Sequence, residues 1–301
     1  MSWEDTFTSW SKGPGQTEQD KCDNAERAVK RAISDNTKLS AMPISVFTQG
    51  SYPANTNVRQ DSDVDVCVRL NNTFFYELPA AGSQNPADYE IGPAPIGFAD
   101  YRNLLGQALV AEFGDSGVTR GNKAFDVHEN TYRIDADVVA AFEHRRYTGF
   151  DAAGRPTYIS GVEFQPDRGP RVINWPDHTA KNGVAKNTRT GRVYKRTIRI
   201  LKRLRNKMQD DNIAASKDIA SFLIESLVWN TPDEHFALPN YSTIVRELLI
   251  HTYNKTKSQT DCDEWGEVSE LKYLFRDAHQ PWTRQQANDF ISAAWNYLGF
   301  K

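Results

Sequence analysis

The chain has 301 residues, with 36 Lys and Arg against 39 Asp and Glu and a net charge of −3. That length supplies a core for one large domain or two lobes, and 39% hydrophobic with 25% charged residues is ordinary for a folded globular protein. The slight negative balance excludes a general nucleic-acid coat but leaves room for a local basic patch, and no apolar run approaches the ~20 residues that would span a bilayer.

Residues 1–16 are polar, end in Lys12-Gly13-Pro14-Gly15 and are expected to form a loop. The opening M-S-W-E-D-T-F lacks a basic segment followed by an apolar one, so a cytoplasmic chain without a secretory leader is expected. Cys22, Cys67 and Cys262 are scattered without metal-ligand spacing, which suits reduced thiols rather than disulfides or zinc. From Thr17 the pattern T-E-Q-D-K-C-D-N-A-E-R-A-V-K-R-A-I predicts a helix, with Thr17 as N-cap, acids in its first turn and Lys30 and Arg31 near its end.

The stretch from Val46 to Leu70 carries the chemistry. Gly50-Ser51 follows a short apolar run, and twelve residues later Asp63 and Asp65 alternate with valines in D-V-D-V-C-V. Alternation with period 2 predicts a half-buried strand whose two carboxylates project from one face. Carboxylates forced together repel unless a cation lies between them, and hard oxygen ligands favour Mg²⁺ or Mn²⁺ over zinc. Glycine lets backbone N–H groups approach a phosphate closely. A solvated acidic strand is the plain alternative. Asp61, Asp63 and Asp65 also fit the opening of an EF-hand loop, but Val66 and Asn72 stand where that loop needs Gly and Glu. Gly-Ser, a spacer of about a dozen residues and Asp-x-Asp on a strand together resemble the polymerase-beta-type nucleotidyltransferases.

Residues 71–100, rich in Pro, Gly and Ala, are expected to form a long surface loop, and an amphipathic helix is expected from Asp100 to Phe113. Tyr132 to Phe142 alternates into an apolar end and predicts a second strand. Asp135 and Asp137 share a face of it, so either could be a third carboxylate.

Between Arg168 and Lys207 stand thirteen Lys or Arg against one acid, Asp177. Residues 192–208 predict a helix, with Tyr194, Ile198, Leu201 and Met208 as its apolar stripe and Lys195, Arg199 and Lys202 as a cationic row. The other basic residues, Arg203 and Arg205 among them, are expected to form a solvated face. The segment before this helix is expected to be irregular, with Asn174, Asn182 and Asn187 able to read a base edge. The last third is expected to be helical over 217–229, 241–256, 264–277 and 283–297. No H-E-x-x-H and no phosphate loop of the G-x-x-x-x-G-K-[ST] form occurs.

Several spaced motifs resemble the bacterial relatives of cGAS, the CD-NTases, and in particular their clade E. They are Gly50-Ser51-Tyr52, Thr56-Asn57-Val58, Ser62 to Val68, Ala136-Asp137-Val138-Val139, Asn174-Trp175-Pro176, Asn182-Gly183, Lys186-Asn187, Tyr194-Lys195, Arg199 to Lys202 and Ser221 to Glu225. The resemblance covers about residues 17–230. It implies a bilobed α/β (α+β) fold: a mixed-sheet catalytic lobe over 1–170 and a helical lobe over 171–301 closing the nucleotide cleft. It implies that Asp63, Asp65 and Asp137 are catalytic and hold two Mg²⁺ (Mn²⁺ being an alternative), that Gly50, Ser51, Lys202 and Ser221 bind nucleotide phosphates, and that Asn182 or Asn174 reads a uracil. The implied activity is synthesis of a cyclic dinucleotide such as cyclic di-UMP or cyclic UMP-AMP from UTP and ATP. The product would be an anti-phage second messenger sensed by a downstream effector. The enzyme is expected to be a monomer needing neither membrane nor obligatory nucleic acid. The other enzymatic reading is a template-independent transferase acting on RNA or protein, motivated by the basic segment.

Overall fold

The computed structural model describes residues 2–58, 63–276 and 280–301. Asp61 and Ser62, singled out above, lie outside the described residues. Two compact units emerge, one of residues 16–49 and 63–176, the other of residues 1–15, 50–62 and 177–301. The expected boundary at 170 thus falls at 176, and the second unit also takes in two segments from the first sixty-two residues. The first helix, α1 (Trp3–Trp10), belongs to that second unit.

The sheet unit opens with α2 (Gln16–Asp35), which buries Cys22, Ala25, Val29, Ala32 and Ile33 at helical spacing. Its seven strands are β1 (Ile44–Gln49), β2 (Val64–Glu77), β3 (Val118–Arg120), β4 (Phe125–Val127), β5 (Ala136–Phe150), β6 (Pro156–Phe164) and β7 (Val172–Asn174). They run in the order β1-β2-β5-β4-β3, with β6 beside β5 and β7 beside β6. The β2–β5 pair is parallel and the others are antiparallel, which makes the sheet mixed as expected. Val64, Val66, Val68 and Leu70 of β2 and Val138, Ala140 and Phe142 of β5 are buried. The α3 helix (Phe98–Phe113) packs on that face: the Tyr101 hydroxyl donates to the Val68 carbonyl at 3.0 Å, and its ring lies 5.5 Å from that of Phe142.

Residues 71–77 prolong β2 past an irregularity rather than entering a loop, because Phe74 to Glu77 pair with Glu143 to Arg146. Gly161 on β6 is fixed by close approach: a Cβ there would come 2.7 Å from the Asn174 carbonyl and 2.8 Å from the Trp175 ring.

The helical unit comprises α1, α4 (Pro176–Arg189), α5 (Val193–Asp210), α6 (Ser221–Trp229), α7 (Tyr241–Thr256) and α8 (Arg284–Leu298). Among its core residues are Phe7, Ile198, Leu201, Leu223, Leu227, Leu248 and Phe290. Three expectations need correction here. The N-terminal segment is helical over 3–10, started by a capping box in which Ser2 and Asp5 satisfy each other's backbone N–H. The supposedly irregular stretch after Trp175 is α4, with Pro176 at its first position, where a missing N–H costs nothing. The described part of 264–277 is turns with one bridge, Gly266 to Tyr273, instead of a helix. No helix among the described residues is long and apolar enough to cross a membrane, and Cys22, Cys67 and Cys262 are buried and form no disulfide among the described residues.

Glu4 ties the first helix of this unit to a later one. Its carboxylate accepts from the N–H of Tyr241 at 3.1 Å and from the N–H and hydroxyl of Ser242, each at 2.7 Å, at the start of α7. Burial alone would raise the Glu4 pKa, but these donors outweigh it and hold it below the usual 4.5. A carboxyl depressed in the folded state stabilises above its unfolded pKa, and that contribution disappears as pH falls through the folded value. Glu4→Gln is therefore expected to cost about 1 kcal/mol at pH 7, the scale of a lost helix cap. The wild-type–variant gap in denaturant titrations should narrow as pH falls below 4.5; a gap that stays constant with pH would contradict the cap.

Candidate active site

In the sheet unit, strand register assembles the acids. Asp65 is the Cα partner of Asp137 across the parallel β2–β5 pair, and Asp126 is the partner of Asp137 across β4–β5. Gln49 on β1 pairs with Asp65, and Thr119 on β3 pairs with Asp126. Partners directly opposite one another share a face, so Gln49, Asp65, Asp137, Asp126 and Thr119 form one polar row across five strands. Asp63 stands one residue ahead of β2, exposed.

The electrostatics agree with that crowding. The Asp137 carboxyl is held above its ordinary pKa first by burial, then by the charges of Asp63, Asp126 and Asp135. Like carboxylates brought together in this way lower their energy by binding a cation, and an all-oxygen donor set suits Mg²⁺. The residues present therefore fit a divalent cation, although among the described residues no group of three or more His, Cys, Asp or Glu side chains is already drawn together to hold one.

Asp135 and Asp137, equivalent in sequence, differ in place. The Asp135 carboxylate accepts from the Glu129 backbone N–H and its carbonyl from the Val64 N–H at 3.0 Å, both ties of the loop entering β5. Asp137 instead lies opposite Asp65. The sequence does not single out Asp126, a half-buried acid between the buried Phe125 and Val127 on the three-residue β4.

The helical unit holds the residues expected to meet phosphates. Gly50 follows directly on Gln49 and takes φ 73°, a conformation that L side chains avoid. The loop it begins is closed by its own chain: the Thr56 N–H donates to the Ser51 carbonyl and the Asn55 N–H to the Tyr52 carbonyl, each at 3.0 Å. Thr56, Asn57 and Val58 are buried. Lys202 is fully buried on α5, and its Nζ donates to Glu225 Oε1 at 2.8 Å; the Thr56 hydroxyl donates to the same oxygen at 2.8 Å. Glu225 thus joins the loop, α5 and α6. Ser221 is the first residue of α6, whose N-cap, Ala220, makes no side-chain cap. Asn182 on α4 donates its Nδ2 to the Val268 carbonyl at 2.9 Å, while Asn174 belongs to β7 of the sheet unit.

The expected solvated basic face is present in part: Arg168, Arg171, Lys181, Arg189, Arg192, Arg196 and Lys207 are exposed, but several of the other cations turn inward. Arg199 is buried and donates to the carbonyls of Ser11 and Asn55, at 2.8 and 2.5 Å. Arg203 donates to the carbonyls of Ser9 and Trp10. Arg205, also buried, donates to the Ile219 carbonyl at 2.7 Å. Lys186 reaches the carbonyls of Trp229 and Thr231 at 2.8 and 2.7 Å, closing the C-terminus of α6. These cations are used up inside the unit because carbonyls at helix and turn ends require donors.

Residues 181–299 match the model of the cGAS/DncV-like nucleotidyltransferase C-terminal helical domain. The chain is 42% identical over 298 residues to a cyclic dipyrimidine nucleotide synthase, CdnE, of Legionella pneumophila, covering 99% of this chain and 98% of that protein. To the CdnE cyclic dipyrimidine nucleotide synthase of Cecembia lonarensis it is 40% identical over 300 residues, with coverage of 99% and 98%. The solved structure of the Rhodothermus marinus CdnE c-UMP-AMP synthase with Apcpp and Upnpp superposes with a TM-score of 0.82 at 26% identity, over 98% of this chain and 96% of that one.

A carboxyl whose pKa is raised on folding adds stability at low pH that is lost as pH rises through the folded value. In chelator-treated protein, Asp137→Asn is therefore expected to melt above wild type at pH 7, because it removes a buried, repelled charge. The advantage should vanish below about pH 3.8, the ordinary value of the carboxyl. Thermal unfolding at the two pH values checks this; a variant less stable than wild type at pH 7 would show that the Asp137 charge is not repelled.

Proposed function

The chain belongs to the cGAS/DncV-like nucleotidyltransferases, and from that premise we propose that it is a CdnE-type cyclic dinucleotide synthase that joins two NTPs and releases pyrophosphate. The observation that carries this reading is the Asp65–Asp137 pairing in register, with Asp63 close enough to raise the Asp137 pKa. Asp63, Asp65 and Asp137 are the residues that would hold two Mg²⁺, or Mn²⁺. When bound, the metal supplies positive charge at the attacking hydroxyl and the departing pyrophosphate. The chain's own residues bind and orient. Gly50 and Ser51 offer backbone N–H groups and a hydroxyl to phosphate oxygens, and Ser221 adds a hydroxyl at the positive end of α6. Lys202 keeps further N–H donors beyond the one given to Glu225, and its burial makes a charge-assisted bond to a phosphate strong.

A product formed from UTP alone fits the names of the Legionella and Cecembia relatives, and one formed from UTP with ATP fits that of the Rhodothermus marinus synthase. Asn182 is the proposed base reader, with Asn174 as the alternative. The product would serve as a second messenger in anti-phage defence, read by a cyclic-nucleotide-sensing effector. The competing reading, a transferase acting on RNA or protein, rested on the basic segment. Arg199, Arg203 and Arg205 donate to backbone carbonyls instead of lining an open groove.

Incubation with the four NTPs and Mg²⁺, without any acceptor, should yield cyclic dinucleotide and pyrophosphate. Asp63→Asn and Asp65→Asn should each lower the rate on the order of a thousandfold, the several kcal/mol expected for a lost metal-bridging charge. Turnover that appears only when RNA is added, or near-normal rates in both variants, would overturn the assignment.

A further inference from the structure

The sheet unit carries a cavity of about 550 Å³ between α2, the end of α3 and residues 130–133. That volume lies within the range of roughly 300–1,000 Å³ typical of small-molecule sites. Its charged lining is unbalanced: Arg27, Arg31 and Arg133 against Glu112 alone. Glu112 is taken by Arg31, and Arg27 donates to neutral acceptors, the Asn24 side chain and the Asp23 carbonyl.

Arg133 is the anomaly. It is 9% exposed, and its buried Nε has no hydrogen-bond partner. Its guanidinium lies 4.7 Å over the Phe113 ring, an attraction weaker than the hydration it has given up. Burial presses its pKa down against the pull of Asp135 and Glu112. A nine-tenths-buried guanidinium costs several kcal/mol unless an acceptor meets it, and its planar fork matches carboxylate and phosphate oxygens. At the cavity's rim Tyr132 is 61% exposed, presenting an aromatic ring to whatever enters. The loop that carries it is built to hold position: Asn130 Oδ1 accepts from the N–H groups of Tyr132 and Arg133, and Asn24 donates to the Tyr132 carbonyl at 2.8 Å.

We propose that this cavity is a binding site for a small organic anion whose phosphate or carboxylate groups pair with Arg27, Arg31 and Arg133 while its body lies between Phe113 and Tyr132. The proposal is independent of the cyclic dinucleotide reading. Binding of citrate and of glucose 6-phosphate, one probe for each anion source, is to be measured by calorimetry on the full chain in low-chloride buffer without divalent cations. At least one should bind with a Kd of about 1 mM or below, and whichever does so identifies the source. The Arg27→Gln/Arg31→Gln double variant changes two exposed side chains and should fold normally by circular dichroism. It should weaken binding at least tenfold, about 1.4 kcal/mol. Arg133→Lys, which keeps the charge and loses the fork, should weaken it as well. Failure of both probes to bind at about 10 mM, or equal binding by wild type and the double variant, overturns the proposal.

Discussion

The parallel pairing of β2 with β5 is the constraint on which the acid site rests. Two carboxylates directly opposite each other on neighbouring strands are destabilising, and nothing in Asp65 or Asp137 would bring them together unaided. They are held there by the apolar residues that alternate with them along each strand. Val64, Val66 and Val68 on one strand and Ala136, Val138 and Ala140 on the other are buried, and a slip of one residue would turn those side chains to the opposite face. The apolar rows set the register, and the register sets the acids. The raised pKa of Asp137 is the electrostatic cost of that burial and of the neighbouring acids.

In the helical unit the corresponding role falls to buried polar ties. Glu225 accepts from both Thr56 and Lys202, Arg199 holds the Ser11 and Asn55 carbonyls, and Lys186 closes the end of α6. Each joins segments far apart in sequence, and each is buried, where an unmade bond is expensive. Thr56, Glu225 and Arg199 in this way tie down the loop that begins at Gly50.

Much of this was legible beforehand. The two acid-bearing strands, α2, α3, α5, α7 and α8 follow from periodicity, and the alternation of Asp65 with buried valines follows from period 2, which leaves little freedom of direction. The failures have physical causes. The α1 helix is short and depends on its Ser2–Asp5 box and on packing by Phe7, which composition does not reveal. The α4 sequence is polar because only Gly183 and Lys186 on it are buried. Asp126 lies on a three-residue strand, too brief for alternation to register. Within the basic run of 168–207, Arg203 and Arg205 turn inward unforeseen because charge in a sequence does not disclose which carbonyls await a donor.

The interleaving of the two units has a consequence for how the molecule comes into being. The chain passes between units at 15/16, 49/50, 62/63 and 176/177. By residue 176 a growing polypeptide has every strand of the sheet, but α1 and the loop from Gly50 still lack the helices they pack with. Glu4 waits for Ser242, 238 residues away, and Thr56 waits for Glu225, 169 residues away. Contacts of such separation form late and slowly. A chain stalled there carries its acids on a finished sheet while the loop from Gly50 is still unformed, so the buried ties of the helical unit, and whatever depends on them, wait for α6 and α7.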